Sequence, residues 1–225
     1  MSFAATSVSV AGASHTLAVA CSGEMRLCAL TPREQREYAS LPHAARKRDW
    51  LAGRYAAKRA LAARWDVPPD RIELASIPGA APRPSLRNPA GSCSPLPDRL
   101  TIAHRDGIAL AAAFPSTILV GVDIERAGEL SPVELRYILS ESERPPCDGV
   151  DPTLVWVLKE AAWKALGLTP RTPLSSPQLV LRAHTQELVA VRLGEHEFPA
   201  CAAVSRIDAS RPLIAAIVRI AREVS

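Results

Sequence analysis

Thr117-Ile-Leu-Val-Gly121-Val-Asp123-Ile-Glu125 is the stretch on which the reading of this chain turns. Its apolar, β-branched run predicts a mostly buried strand, and two carboxylates sit at its end. Side chains alternate across a strand, so Gly121, Asp123 and Glu125 share one face while Val120, Val122 and Ile124 share the other. Two acids leaving a buried strand on one side repel each other and lose solvation unless a cation or hydrogen-bond donors meet them. The segment alone leaves two readings open: a polar strand end emerging into water, or an acid pair gathered for a cation.

Downstream, Asp151-Pro152-Thr153 is a capping and first-turn signal for a helix, which continues through Trp156-Val-Leu-Lys159-Glu160-Ala-Ala-Trp163-Lys164. Helical spacing gathers Leu158, Ala161, Ala162 and Ala165 into an apolar face and sets Trp156, Lys159, Glu160, Trp163 and Lys164 on the opposite arc. Glu160 and Lys164 form an i,i+4 pair in the favourable orientation. A plain solvated face carries such charges, but it does not usually carry two large indoles.

Only four of the 27 basic residues are lysine: Lys47, Lys58, Lys159 and Lys164. Two lie in the acidic helix, and two in an upstream helix expected from about Arg46 to Arg64, stopped by Val67-Pro68-Pro69. Trp50, Gly53, Ala57, Ala60 and Leu61 form its predicted buried stripe. Lys47, Arg54 and Lys58 line one flank, with Arg48 and Arg59 further round. Such a basic edge can hold phosphates or simply be solvated. Leu100 to Phe114 reads as two strands joined by a tight turn at Asp106-Gly107, with His104 just before it. The Pro-rich stretch from Pro78 to Pro97, which contains Arg83-Pro84, is expected to be a flexible surface connection.

Taken in order, these segments resemble the larger, surfactin-type phosphopantetheinyl transferases. The basic helix with Trp50-Leu-Ala-Gly-Arg54, the Arg83-Pro84 element, the His104 strand turn, Gly121-Val-Asp-Ile-Glu125 and Trp156-x-x-Lys159-Glu160-x-x-x-Lys164 carry the resemblance across most of the chain. The last two are the most specific. Ala103 stands where the family commonly has serine, and Arg83-Pro84 stands where it commonly has Lys-Pro.

The resemblance implies an α+β fold of two similar α/β halves related by a pseudo-twofold, residues 1–115 and 116–225. It implies transfer of 4′-phosphopantetheine from coenzyme A to a serine of an acidic apo acyl or peptidyl carrier protein, with release of 3′,5′-ADP. Asp123, Glu125 and Glu160 are the implied Mg²⁺ ligands, and Mn²⁺ could substitute. Glu160 is the implied general base and Lys164 the implied leaving-group partner. Arg48, Arg54, Arg83, His104, Lys159 and Lys164 are implied coenzyme A contacts, joined by Lys47 and Lys58.

The 225 residues suffice for one sizeable domain or two small ones, and no internal sequence repeat is evident. In the second half, Gln178 to His184, Glu187 to Leu193, Ala200 to Ser205 and Leu213 to Ala221 read as strands, the last with a helical alternative. Hydrophobic residues make up 48% of the chain, which suits an ordinary core. The net charge of +4 suits an anionic cofactor and an acidic partner. Five cysteines without Cys-x-x-Cys spacing indicate neither a zinc site nor a disulfide framework, so a reducing cytoplasm is expected. Leu17-Ala-Val-Ala-Cys21 has no basic segment before it and is not read as a signal peptide. Gly107 to Val122 is uncharged but broken by Pro115 and short for a membrane span. Glu195-His196-Glu197 is expected to be a solvated turn. A monomer is expected. Two other classes stand behind the enzyme reading: a catalytically silent coenzyme A-binding subunit and, third, a nucleic-acid-binding module built on the basic helix.

Overall fold

A computed structural model describes residues 6–10, 13–21, 29–140, 143, 151–168, 179–184, 187–207 and 212–221. The chain divides into two compact units, Met1–Ser116 and Thr117–Ser225. Strands and helices are mixed in both, and among the described residues every strand pairing is antiparallel.

In the first unit, β1 (Thr6–Val10), β2 (Ala13–Cys21), β6 (Asp98–Arg105) and β7 (Ile108–Pro115) form a sheet in the order β1-β2-β7-β6. Asp106 and Gly107, at φ 53° and 77°, make the β6–β7 turn, the left-handed pair that a two-residue hairpin requires. Helix α2 (Ala44–Trp65) lies on this sheet. Its Ala52, Ala56, Ala57, Ala60 and Leu61 share a core with Ala18, Ala20, Ala109 and Ala111. Alanine on both surfaces lets the helix approach the sheet closely, so the core gains area through many small contacts. The helix ends at Asp66, whose φ of 50° turns the chain into the proline break.

Helix α1 (Pro32–Ser40) precedes it, opened by a capping box in which Thr31 and Glu34 satisfy each other's backbone N–H. The Pro78–Pro97 stretch is ordered structure rather than the expected flexible connection. After β3 (Ile72–Ile77), β4 (Ala80–Arg87) and β5 (Cys93–Pro95) complete a three-stranded sheet in the order β3-β4-β5. β5 pairs with Ser85–Arg87, so Pro82 lies beyond that pairing, where a missing N–H is tolerated, while the Pro84 carbonyl accepts from the Leu96 N–H at 3.0 Å.

The second unit begins with β8 (Leu119–Arg126), followed by α3 (Pro132–Ile138) and α4 (Pro152–Ala165). β9 (Leu179–His184), β10 (Glu187–Leu193), β11 (His196–Ile207) and β12 (Leu213–Ile220) complete a sheet in the order β8-β12-β11-β10-β9. The last element is a strand, and β11 starts earlier than expected. Gly194 and Glu195 make the turn before it, while His196 and Glu197 open the strand with exposed side chains. Gln178, Cys28 and Cys147 lie outside the described residues. Cys93 and Cys201 are free thiols. Among the described residues, no helix is long and apolar enough to cross a membrane.

Helix α4 packs on β8 and β12. Ala161, Ala162 and Ala165 meet Leu181, Val191, Val218 and Ile220, while Val157 meets Ile214 and Ala216. The closest approach is at Gly121, where an added Cβ would fall 1.9 Å from the Ala161 carbonyl oxygen and 2.6 Å from the Ala165 nitrogen. Glycine is therefore a geometric requirement of the strand face that also bears Asp123.

Candidate active site

Asp123 leaves β8 two residues after Gly121 and so points to the side covered by α4. There Lys164 Nζ donates to Asp123 Oδ1 at 2.5 Å and lies 3.6 Å from Glu160 Oε2. One carboxylate from the strand and one from the helix thus face a single cationic position. Asp123 is buried, while Glu160 and Lys164 are partly open. Burial raises the Glu160 carboxyl above its ordinary range; Lys164 opposes this and the Asp123 charge adds to it. Glu125 lies on the same face of β8 and accepts a 3.4 Å hydrogen bond from the Trp156 indole. Trp156 and Trp163 are both partly buried against the core, which accounts for indoles beside charges on this arc.

Among the described residues, no three or more His, Cys, Asp or Glu side chains stand gathered as a metal site. The pair that converges is Asp123 with Glu160. Such hard oxygen donors, few in number, fit a magnesium ion that completes its shell with phosphate oxygens and water. The Lys164 ammonium now holds the place between them that a cation would share.

Lys159 departs from expectation. It is fully buried instead of lying on the outer arc, donating to Glu143 Oε2 at 2.5 Å and to the Ile138 carbonyl at 3.0 Å. In the first unit, the flank expected to be an open basic edge is closed at two of its three positions. Lys58 is buried on Glu34 at 2.6 Å, and Arg54 lies 3.2 Å from Glu37 with the Trp50 ring 4.7 Å from its guanidinium carbon. Burial lowers the pKa of both, with Glu34 and Glu37 working against the shift. The cause is α1, which presents the two glutamates one helical turn apart.

Lys47 remains partly open, 5.4 Å from the centre of the Tyr38 ring. Arg48 is exposed on α2, and Arg83 is exposed on β4. His104 is partly exposed at the end of β6, its Nδ1 3.8 Å from Asp49 Oδ2. Asp49 also accepts from the Gly107 N–H at 3.0 Å, so one carboxylate ties the β6–β7 turn to the opening of α2.

Residues 119–218 match the 4′-phosphopantetheinyl transferase superfamily. That span runs from the start of β8 into β12 and contains Asp123, Glu125, Glu160 and Lys164. No curated protein is similar enough to the chain to count as a match. Over that stretch the match supports the transferase class and suggests phosphopantetheine transfer in general. Glu143 of the same domain was not singled out by sequence. It accepts from Ser140 N at 2.8 Å, from Leu181 N at 2.8 Å and from Lys159. The Ser140-x-x-Glu143 spacing is a capping-box signal that could have drawn notice.

Proposed function

We propose that the chain is a surfactin-type phosphopantetheinyl transferase that moves 4′-phosphopantetheine from coenzyme A to a serine of an apo acyl or peptidyl carrier protein, releasing 3′,5′-ADP. The observation that carries this reading is the convergence of Asp123 and Glu160 on one cationic position, inside the stretch that matches the superfamily.

Asp123 and Glu160 would hold Mg²⁺ or Mn²⁺, with Glu125 alongside them. Bound there, the ion supplies charge neutralisation for the phosphoryl group under attack. Glu160 is suited to take the proton of the attacking serine, because burial keeps its carboxyl more basic than an open glutamate. Lys164, released from Asp123, can turn its ammonium to the departing 3′,5′-ADP phosphate. Arg48, Arg83, His104 and Lys47 are the exposed or partly exposed groups left to bind coenzyme A phosphates. Arg54, Lys58 and Lys159 support the fold of their units, since each is buried in an ion pair. The same reading takes residues 1–115 and 116–225 as similar halves of a pseudo-twofold fold, acting as a monomer in the cytoplasm on an acidic partner.

The test is to incubate the protein with coenzyme A, Mg²⁺ and a panel of apo carrier proteins, and to weigh the carriers. A mass gain of one phosphopantetheine on at least one carrier is expected. Intact coenzyme A binding with no gain on any carrier would favour a silent coenzyme-binding subunit. Asp123→Asn and Glu160→Gln are expected to lower transfer by roughly 100-fold or more with the fold retained; full activity in either overturns the ligand assignment.

A further inference from the structure

Lys159 and Glu143 form a positioning strut, we infer, that sets where α4 sits and so holds Glu160 and Lys164 opposite Asp123; this rests on the transferase reading above.

The geometry comes from two contacts on different sides of α4. On one, Gly121 admits the helix backbone so closely that no side chain fits between. On the other, Lys159 reaches inward to Glu143 Oε2 and the Ile138 carbonyl. Glu143 in turn accepts from Ser140 N and Leu181 N, which joins the chain before α4 to the strand β9 after it. Where α4 rests on Gly121 through its own alanines, the small side chains offer only shallow grooves against sliding or rotation. Directional hydrogen bonds from one buried ammonium restrict both motions, and Glu160 is the next residue.

The first unit repeats the device atom for atom. Lys58 Nζ donates to the Ala29 carbonyl and pairs with Glu34 Oε2, while Glu34 accepts from Thr31 N and Leu74 N. In each unit the carbonyl lies two residues before the capping residue, and the glutamate three after it. The residue following the lysine is Arg59 in one unit and Glu160 in the other. The strut is thus a framework element present with or without an adjoining acid, and a lysine closed into it is not a cofactor contact.

The experiment compares Lys159→Met with the double variant Lys159→Met/Glu143→Leu, which removes both members of the buried ion pair. Melting temperature, coenzyme A affinity by calorimetry, transfer kcat and hydrogen exchange of the 158–165 amides are read for each. The double variant is expected to recover most of the lost melting temperature. Its kcat stays down by about tenfold or more, its coenzyme A Kd stays within about twofold of the starting protein, and its α4 amides exchange faster. Recovery of kcat together with stability would reduce the pair to a stability role and overturn the inference. A coenzyme A Kd weakened by about tenfold would make Lys159 a direct contact and overturn it equally. If the unaltered protein modifies no carrier, the transferase reading fails by itself, and exchange still decides the strut: wild-type protection of α4 in the stabilised double variant rejects it. Should Lys159→Met not fold, the double variant carries the same comparisons alone.

Discussion

Glu160 is the residue whose protonation the fold perturbs in a way that can be read out. Burial raises its pKa, Lys164 opposes the rise and Asp123 adds to it. A group raised in the folded state contributes stability below its unfolded pKa and loses it as pH climbs through the folded value. Ionised Glu160 therefore weakens the metal-free fold at neutral pH. Glu160→Gln is expected to raise the melting temperature there in chelator, with the gain vanishing below the ordinary carboxylate range; thermal melts across that range check it. A different logic governs Lys58, which is buried on Glu34. Lys58→Met strands a buried carboxylate and is expected to cost about 3–5 kcal/mol in urea unfolding, with much of the loss restored by adding Glu34→Leu. Sequence spacing could place Lys58 and Lys159 on helices, but not say that they point inward. That depends on distant glutamates whose approach is set by tertiary structure, and lysine is rarely buried without a partner.

At the scale of elements, the strand from Leu119 to Arg126 and the helix after Asp151 were readable because each carries a clear period and a boundary signal. So were the hairpin at Asp106-Gly107 and the strands after Leu179. β1 to β5, α1 and α3 were not. Pro82 and Pro84 mask β4 from any propensity reading, and α1 exposes most of its length, so its apolar period is weak. Strand alternation put Asp123 on one face with Gly121 and Glu125, and only the family resemblance joined Asp123 to Glu160; the closeness of α4 to Gly121 was not foreseen, because a lone glycine does not reveal which backbone approaches it. Gly121→Ala is expected to destabilise the protein by roughly 3 kcal/mol, since the Cβ meets backbone and not a movable side chain. Denaturant unfolding measures this, and a loss below that of an ordinary surface substitution would show that α4 can shift aside.

For the molecule as a whole, the net charge of +4 and the exposed Arg48 and Arg83 bear on the proposed anionic co-substrate. Arg48→Ala and Arg83→Ala are each expected to weaken coenzyme A binding by about tenfold while changing kcat little, and added salt is expected to shrink the difference. Calorimetry at two ionic strengths distinguishes this from a packing effect, which salt would leave alone. The paired lysine–glutamate networks also bear on how such chains are recognised. Leu30-Thr31-x-x-Glu34 and Leu139-Ser140-x-x-Glu143 are near-copies, each followed by a helix whose lysine closes the ring, yet the text between them has diverged beyond likeness. A search that rewards overall resemblance passes over them. One that asks only for two such short Thr/Ser-x-x-Glu punctuations, each ahead of a helical lysine, would find the same buried network twice in one chain.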